Sequence, residues 1–209
     1  MVDEPGRQDI DTAFLSEDAP AHPDRRRNAR HLTILRVGKL ASSETQELCL
    51  IRNISAGGIM AHVYLPHQVG ERIMVELKGG HRLPATVRWV RPGHIGAQFD
   101  TPVDIEAVLA ADPAEPGTRP RAPRLEIMRQ ARISVRDTVA DAVVRDLSQG
   151  GARIETDEAI AAGETIFITI DGFDTKRAIV RWARGNDYGL EFTQTIKLQD
   201  FMTGLQNAQ

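Results

Sequence analysis

The chain repeats itself, and that constrains its fold more than any other feature. Shifted by 93 positions, Ile51 to Gly58 (IRNISAGG) falls on Val144 to Gly151 (VRDLSQGG), and Val87 to Arg91 (VRWVR) falls on Val180 to Arg184 (VRWAR). Gly70-Glu71 falls on Gly163-Glu164, and Gly96 and Phe99 fall on Gly189 and Phe192. Between 51 and 99 the register holds without a gap, with 15 identities in 49 positions, and the only two tryptophans, Trp89 and Trp182, superimpose. Upstream, Leu32, Ile34 and Arg36 fall on Leu125, Ile127 and Arg129. A unit near 93 residues present twice is too long for a solenoid repeat and reads as two copies of one small domain.

Composition is that of an ordinary globular protein, with 41% hydrophobic and 26% charged residues in 209. The net charge of -3 disfavours a protein that lives on nucleic-acid backbone. Cys49 is the sole cysteine, so no disulfide forms within the chain. Residues 1–20 are acidic and lack the apolar run of a signal peptide, and no stretch approaches a membrane span. A cytoplasmic protein is expected, with 1–20 as a disordered acidic tail. Residues 111–123 (ADPAEPGTRPRAP) carry four prolines and predict an extended linker between a first domain, 22–110, and a second, 124–206.

Within each copy the dominant period is two. Val87 and Trp89 fall on one side of an alternating run and Arg88 on the other, which predicts both tryptophans in the core; Ile166-Phe167-Ile168-Thr169-Ile170 is β-branched and strand-like. Turn signals recur at Ala56-Gly57-Gly58, Gly79-Gly80, Pro92-Gly93, Asp171-Gly172 and Gly185-Asn186. Short strands with regular turns predict an all-β fold, each copy an antiparallel barrel without free edges. Helical spacing comes only at the end of each copy, at Ile105, Val108 and Leu109 and at Ile196, Leu198, Phe201, Met202 and Leu205, so each barrel is expected to carry a C-terminal helix.

Two motifs bear chemistry. Ahead of the first barrel stand Arg25, Arg26, Arg27 and Arg30, after Pro23 and Asp24. Guanidinium groups bind phosphate or the O6/N7 edge of guanine through paired hydrogen bonds and stack on bases; a solvated charge run is the alternative. Farther on come Asn53, Ser55 and Gly58, matched in the second copy by Asp146, Ser148 and Gly151. A short acceptor at a strand end takes N–H donors from guanine, a serine hydroxyl bonds a phosphate or purine edge, and the glycine pair predicts a turn with positive φ and close ligand approach. A capped β-turn is the alternative.

Arg-x-x-x-Arg (Arg26, Arg30) followed by Asn/Asp-x-Ser-x-x-Gly on a small barrel resembles the PilZ domain family of bacterial cyclic di-GMP receptors. The resemblance covers about 22–110 and 118–206. It implies two tandem six-stranded antiparallel β-barrels, each followed by a helix. It also implies an arginine arm folding over the ligand: Arg26 and Arg30 clamp guanine and phosphate, Arg25 and Arg27 add positive field, and Asn53, Ser55 and Gly58 form the barrel-side wall. In the second copy Asp146, Ser148 and Gly151 fit, but the arm does not. Arg119 falls on Arg26, Pro123 falls on Arg30, and Arg124 comes one place late. Arg132 and Arg136 have the arm spacing but belong to barrel strands. This second site reads as degenerate, either a weaker ligand site or a structural or interaction module.

The histidines show no metal-ligand spacing, and His31 is expected to be a solvated barrel-edge residue. Cys49 lies in an apolar strand as an inert thiol, and no phosphate loop, dinucleotide fingerprint or nucleophile elbow occurs. The expected function is a non-enzymatic receptor that binds cyclic di-GMP, without metal or cofactor, and signals to an effector protein. A ligand-free interaction scaffold is the second reading. A single-strand nucleic-acid binder is disfavoured, because aromatics are only 5% and fall in core-like positions.

Overall fold

The computed structural model describes residues 32–77, 80–110 and 122–207. The acidic tail 1–20, the arginine segment with Arg25, Arg26, Arg27, Arg30 and His31, and Arg119 in the linker lie outside the described residues, as does the side chain of Leu109.

Two closed antiparallel barrels follow one another. The first comprises β1 (Leu32–Ala41), β2 (Gln46–Ser55), β3 (Gly58–His62), β4 (Arg72–Glu76), β5 (Arg82–Arg91) and β6 (His94–Phe99), in the order β1-β2-β3-β6-β5-β4, and β1 pairs with β4 to close it. Helix α1 (Ile105–Ala110) follows. The second repeats this with β7 (Leu125–Val135), β8 (Thr138–Ser148), β9 (Gly151–Glu155), β10 (Thr165–Ile170), β11 (Lys176–Arg184) and β12 (Asp187–Phe192), then α2 (Leu198–Gln206). The fold class read from the sequence is therefore correct.

Each interior is filled by alternate strand residues. On β10, Ile166, Ile168 and Ile170 point in and are buried, whereas Phe167 and Thr169 point out. Barrel 1 closes around Leu40, Ile51, Ile54, Val75, Val87 and Ile95, and barrel 2 around Ile133, Val144, Leu147, Ile154, Ile168 and Val180. Each such side chain contributes about 1.5–3 kcal/mol on burial. Cys49 is fully buried, and burial pushes its thiol well up, which keeps it protonated and inert. The identical Gly-Glu pairs have a local cause. Gly70 and Gly163 sit at φ 89° and 90°, which glycine adopts without strain, and each following glutamate bonds the preceding loop, Glu71 to the Gln68 N–H and Glu164 to the Ala161 N–H.

One expectation is overturned. The ladder slips between Val87 and Trp89 and between Val180 and Trp182, leaving Arg88 and Arg181 as bulge residues. The slip turns both tryptophans to the outer face. Their partners Gly96 and Gly189 alternate with inward residues, Ile95 and Ala97 in the first barrel, Tyr188 and Leu190 in the second. Each half-buried indole lies across its bare glycine, where an added Cβ would come within 2.0 Å of the indole Nε1. The guanidinium of Arg91 stacks 5.2 Å above Trp89, and that of Arg184 5.8 Å above Trp182.

The barrels touch through β2 and α2. Leu48, fully buried, belongs to the second barrel's apolar cluster with Phe201 and Met202 of α2, and Val37 and Tyr64 pack against it. Gln46 exchanges hydrogen bonds with the backbone of Glu126, its Nε2 donating at 2.6 Å and its Oε1 accepting at 3.3 Å. Arg129 of β7 holds α2 in place by donating to the carbonyls of Gly204 and Leu205 at the helix's negative end. Between Gln46 and Leu48 stands Glu47, 1% exposed. Its Oε2 accepts from the Tyr64 and Leu65 amides and its Oε1 from His67 Nε2 at 2.7 Å, while His67 Nδ1 meets Glu71 at 2.9 Å. Both ring nitrogens thus face carboxylates, an arrangement that favours the protonated ring, and the Glu47 bond holds the His67 pKa above the ordinary 6.5.

Two outcomes follow from this packing. Gly189→Ala must displace Trp182 and is expected to lower unfolding stability by about 1–3 kcal/mol in urea melts followed by tryptophan emission; a loss under about 0.5 kcal/mol would mean that the ring slides aside freely. His67 stabilises the fold fully below its unfolded value of 6.5, and this contribution is lost as pH rises through its higher folded value. The wild-type urea midpoint is therefore expected to fall between about pH 6 and pH 9, and in His67→Gln this dependence flattens.

Candidate functional site

Asn53, Ser55 and Gly58 come together where β2 turns into β3. A bulge at Arg52 lets Ile51 and Ile54 both point inward and sends Asn53 outward. Across the outer face, Asn53 pairs with Met60, Met60 with Gly96, and Gly96 with Trp89, so one transverse row runs over β2, β3, β6 and β5. The adjacent row runs Ser55, Gly58, Gln98 and Thr86, with Arg88 Nε donating to Gln98 Oε1 at 2.8 Å. The first row offers a polar acceptor, a flexible thioether and an indole laid over the Gly96 backbone, a surface suited to a flat heterocycle.

The polar atoms of the two motif residues differ in state. Ser55 Oγ donates to the Gly58 carbonyl at 3.3 Å, the capped-turn arrangement. Asn53 Oδ1 is buried and has no hydrogen-bond partner among the described residues. An unsatisfied buried acceptor costs about 1–3 kcal/mol, and a ligand N–H would relieve that cost.

The glycine expectation is corrected. Neither Gly57 nor Gly58, nor Gly150 nor Gly151, is among the glycines at positive φ. Gly58 is required because β6 passes close by: a Cβ would lie 2.2 Å from the Ala97 carbonyl oxygen, and at Gly151 2.1 Å from that of Leu190.

The second barrel builds the same row from different chemistry. Asp146 pairs with Arg153, Arg153 with Gly189, and Gly189 with Trp182. Ser148 Oγ donates to the Gly151 carbonyl at 3.1 Å. Asp146, however, is fully engaged. Its Oδ1 accepts from Arg124 Nη1 at 2.6 Å and its Oδ2 from Arg153 Nε at 2.8 Å. The Asp146 hydrogen bond raises the Arg153 pKa, and Asp187 lies 3.8 Å from the far side of that guanidinium. The spare-arm arginine Arg124 is thus placed on the motif carboxylate. Arg132 lies on β7 and Arg136 in the following turn, paired with Glu164, so neither stands beside the motif.

The row residues Met60, Trp89 and Arg153 were not identified as site residues from the sequence. Their signal was available in the repeat: positions 60 and 153 superimpose, and so do both Trp–Gly pairs. Among the described residues no cluster of His, Cys, Asp and Glu is arranged to hold a metal ion, and no helix is long and apolar enough to cross a membrane.

The sequence model of the PilZ domain family matches residues 24–111 and again 118–206. Similar solved structures include PlzA of Borreliella burgdorferi in complex with c-di-GMP, at 10% identity and TM-score 0.37, over 82% of this chain and 86% of that one. They also include the inhibitor of motility MotI/DgrA of Bacillus subtilis, at 11% and 0.36, over 84% and 95%. A third is YcgR of Escherichia coli in complex with c-di-GMP, at 14% and 0.32, over 82% and 84%. No curated protein matches the chain. With both barrels covered by the family's model, the chain belongs to the PilZ domain family.

Proposed function

We propose that this protein is a non-enzymatic receptor for cyclic di-GMP that acts in the cytoplasm and passes the signal to an effector protein. The working unit is barrel 1, taken as 22–110, with the second domain, 124–206, after the linker. The observation that carries the reading is the buried Asn53 Oδ1, without a partner among the described residues, at the head of a row that ends on Trp89. A guanine offers N1–H and N2–H to such an acceptor and a flat face to Met60 and the indole. Arg26 and Arg30 supply the paired donors that phosphate and the guanine O6/N7 edge take, while Arg25 and Arg27 add charge against two phosphates. Ser55 exchanges its bond to the Gly58 carbonyl for one to the ligand.

Titration calorimetry with cyclic di-GMP tests this. The wild type is expected to bind, and Arg30→Ala and Asn53→Ala are each expected to cost about 1–3 kcal/mol. No heat with the wild type would leave the interaction scaffold as the better reading. Tryptophan emission supplies a second test. Trp89→Phe is expected to abolish ligand-dependent quenching and Trp182→Phe to keep it; the reverse pattern would place the ligand on barrel 2.

A further inference from the structure

Among the superimposed positions that differ between the copies, three bear on these rows: Asn53 against Asp146, Met60 against Arg153, and His94 against Asp187. In barrel 1 the result is an acceptor without a partner among the described residues. In barrel 2 it is a chain of charge-assisted bonds, Arg124 to Asp146 to Arg153; beyond it Asp187 lies 3.8 Å from Arg153 Nη1, and its Oδ1 is buried without a hydrogen-bond partner among the described residues. Asp146 is 14% exposed, and each of its oxygens already holds a guanidinium nitrogen within 2.8 Å.

A guanidinium presents to a carboxylate the same N–H donors that guanine presents on its N1/N2 edge, and it adds a positive charge. A neutral purine displacing it would exchange ionic hydrogen bonds for weaker ones. Resting on the receptor reading above, we propose that barrel 2 is occupied by its own chain. Arg153 and Arg124 fill the position a purine would take, and residue 60/153 decides which barrel accepts ligand. Arg124 directly follows the linker, so the same bond ties the linker's end to barrel 2. Barrel 2's motif is then a clamp on the connector, and all ligand binds at barrel 1.

The test transplants the lattice. By calorimetry on the full chain, Asn53→Asp is expected to keep cyclic di-GMP binding, since a carboxylate accepts the same donors. Asn53→Asp with Met60→Arg, which recreates the barrel 2 pair, is expected to bind more than about tenfold more weakly, with an unchanged circular dichroism spectrum. Arg30→Ala with Asn53→Ala is expected to leave no saturable heat. A double variant Asn53→Asp/Met60→Arg that binds like Asn53→Asp, or a second saturable phase surviving Arg30→Ala/Asn53→Ala, would overturn the proposal. Trypsin cleavage after Arg124 decides the clamp without ligand: it is expected to accelerate severalfold in Asp146→Asn, and an unchanged rate refutes the clamp. No heat with the wild type would refute the receptor reading instead, leaving the proteolysis to decide the internal contact.

Discussion

Which side chains face outward is decided by β-bulges at Arg52, Arg88, Arg145 and Arg181. A regular strand alternates, so Ile51 pointing in would require Asn53 in and Ile54 out. That would bury an amide in the core and expose an isoleucine. One extra residue inverts the phase, so Ile54 and Leu147 are fully buried while Asn53 and Asp146 head an outer row. The bulges at Arg88 and Arg181 do the same for the tryptophans. Without them the indoles would enter barrels already filled by Val87, Val180 and their neighbours. In each copy, one bulge on the motif strand and one three strands away bring an acceptor and an indole to the same row. A long arginine at the bulge suits this geometry, because its unpaired position is solvated and its side chain reaches across the face, as Arg88 does to Gln98.

Strand β2 carries two duties. Its C-terminal half holds Asn53 and Ser55, and its N-terminal half holds Gln46, Glu47 and Leu48, where barrel 1 meets β7 and α2. The Asn53 row and the inter-barrel contact therefore share one hydrogen-bonded element. Glu47, whose burial is compensated by two backbone amides and the His67 ring, fixes the loop after β3 against this end of the strand.

Much of this was legible in the sequence. The repeat, the turns, the terminal helices and the Asn-x-Ser-x-x-Gly strand end all follow from residue type and spacing, because glycine and β-branched residues report local backbone demands. The Ile105, Val108, Phe201 and Met202 pattern likewise gave helix positions that bury or half-bury these side chains. The faces of Trp89 and Trp182 were not legible, because a period-two reading assumes an unbroken ladder and a bulge resets it. Glycine φ was misjudged at Gly58, where crowding by a neighbouring strand, not turn geometry, excludes a side chain. Glu47 carried a signal, a charge within the apolar run Glu47-Leu48-Cys49-Leu50-Ile51, but its partner His67 lies 20 residues away and only the closed barrel joins them.

The two copies separate what a backbone supplies from what side chains decide. Both barrels have the same strand order, the same bulges and the same Trp-on-glycine packing, so both present a row of the same shape. What differs is the charge placed in it. A neutral amide beside a methionine leaves a buried acceptor without a hydrogen bond among the described residues, whereas the second motif's carboxylate already holds a guanidinium nitrogen on each oxygen. The chain presents two such rows, and a few side-chain differences suffice to leave an open acceptor in one and to fill the other with ion pairs.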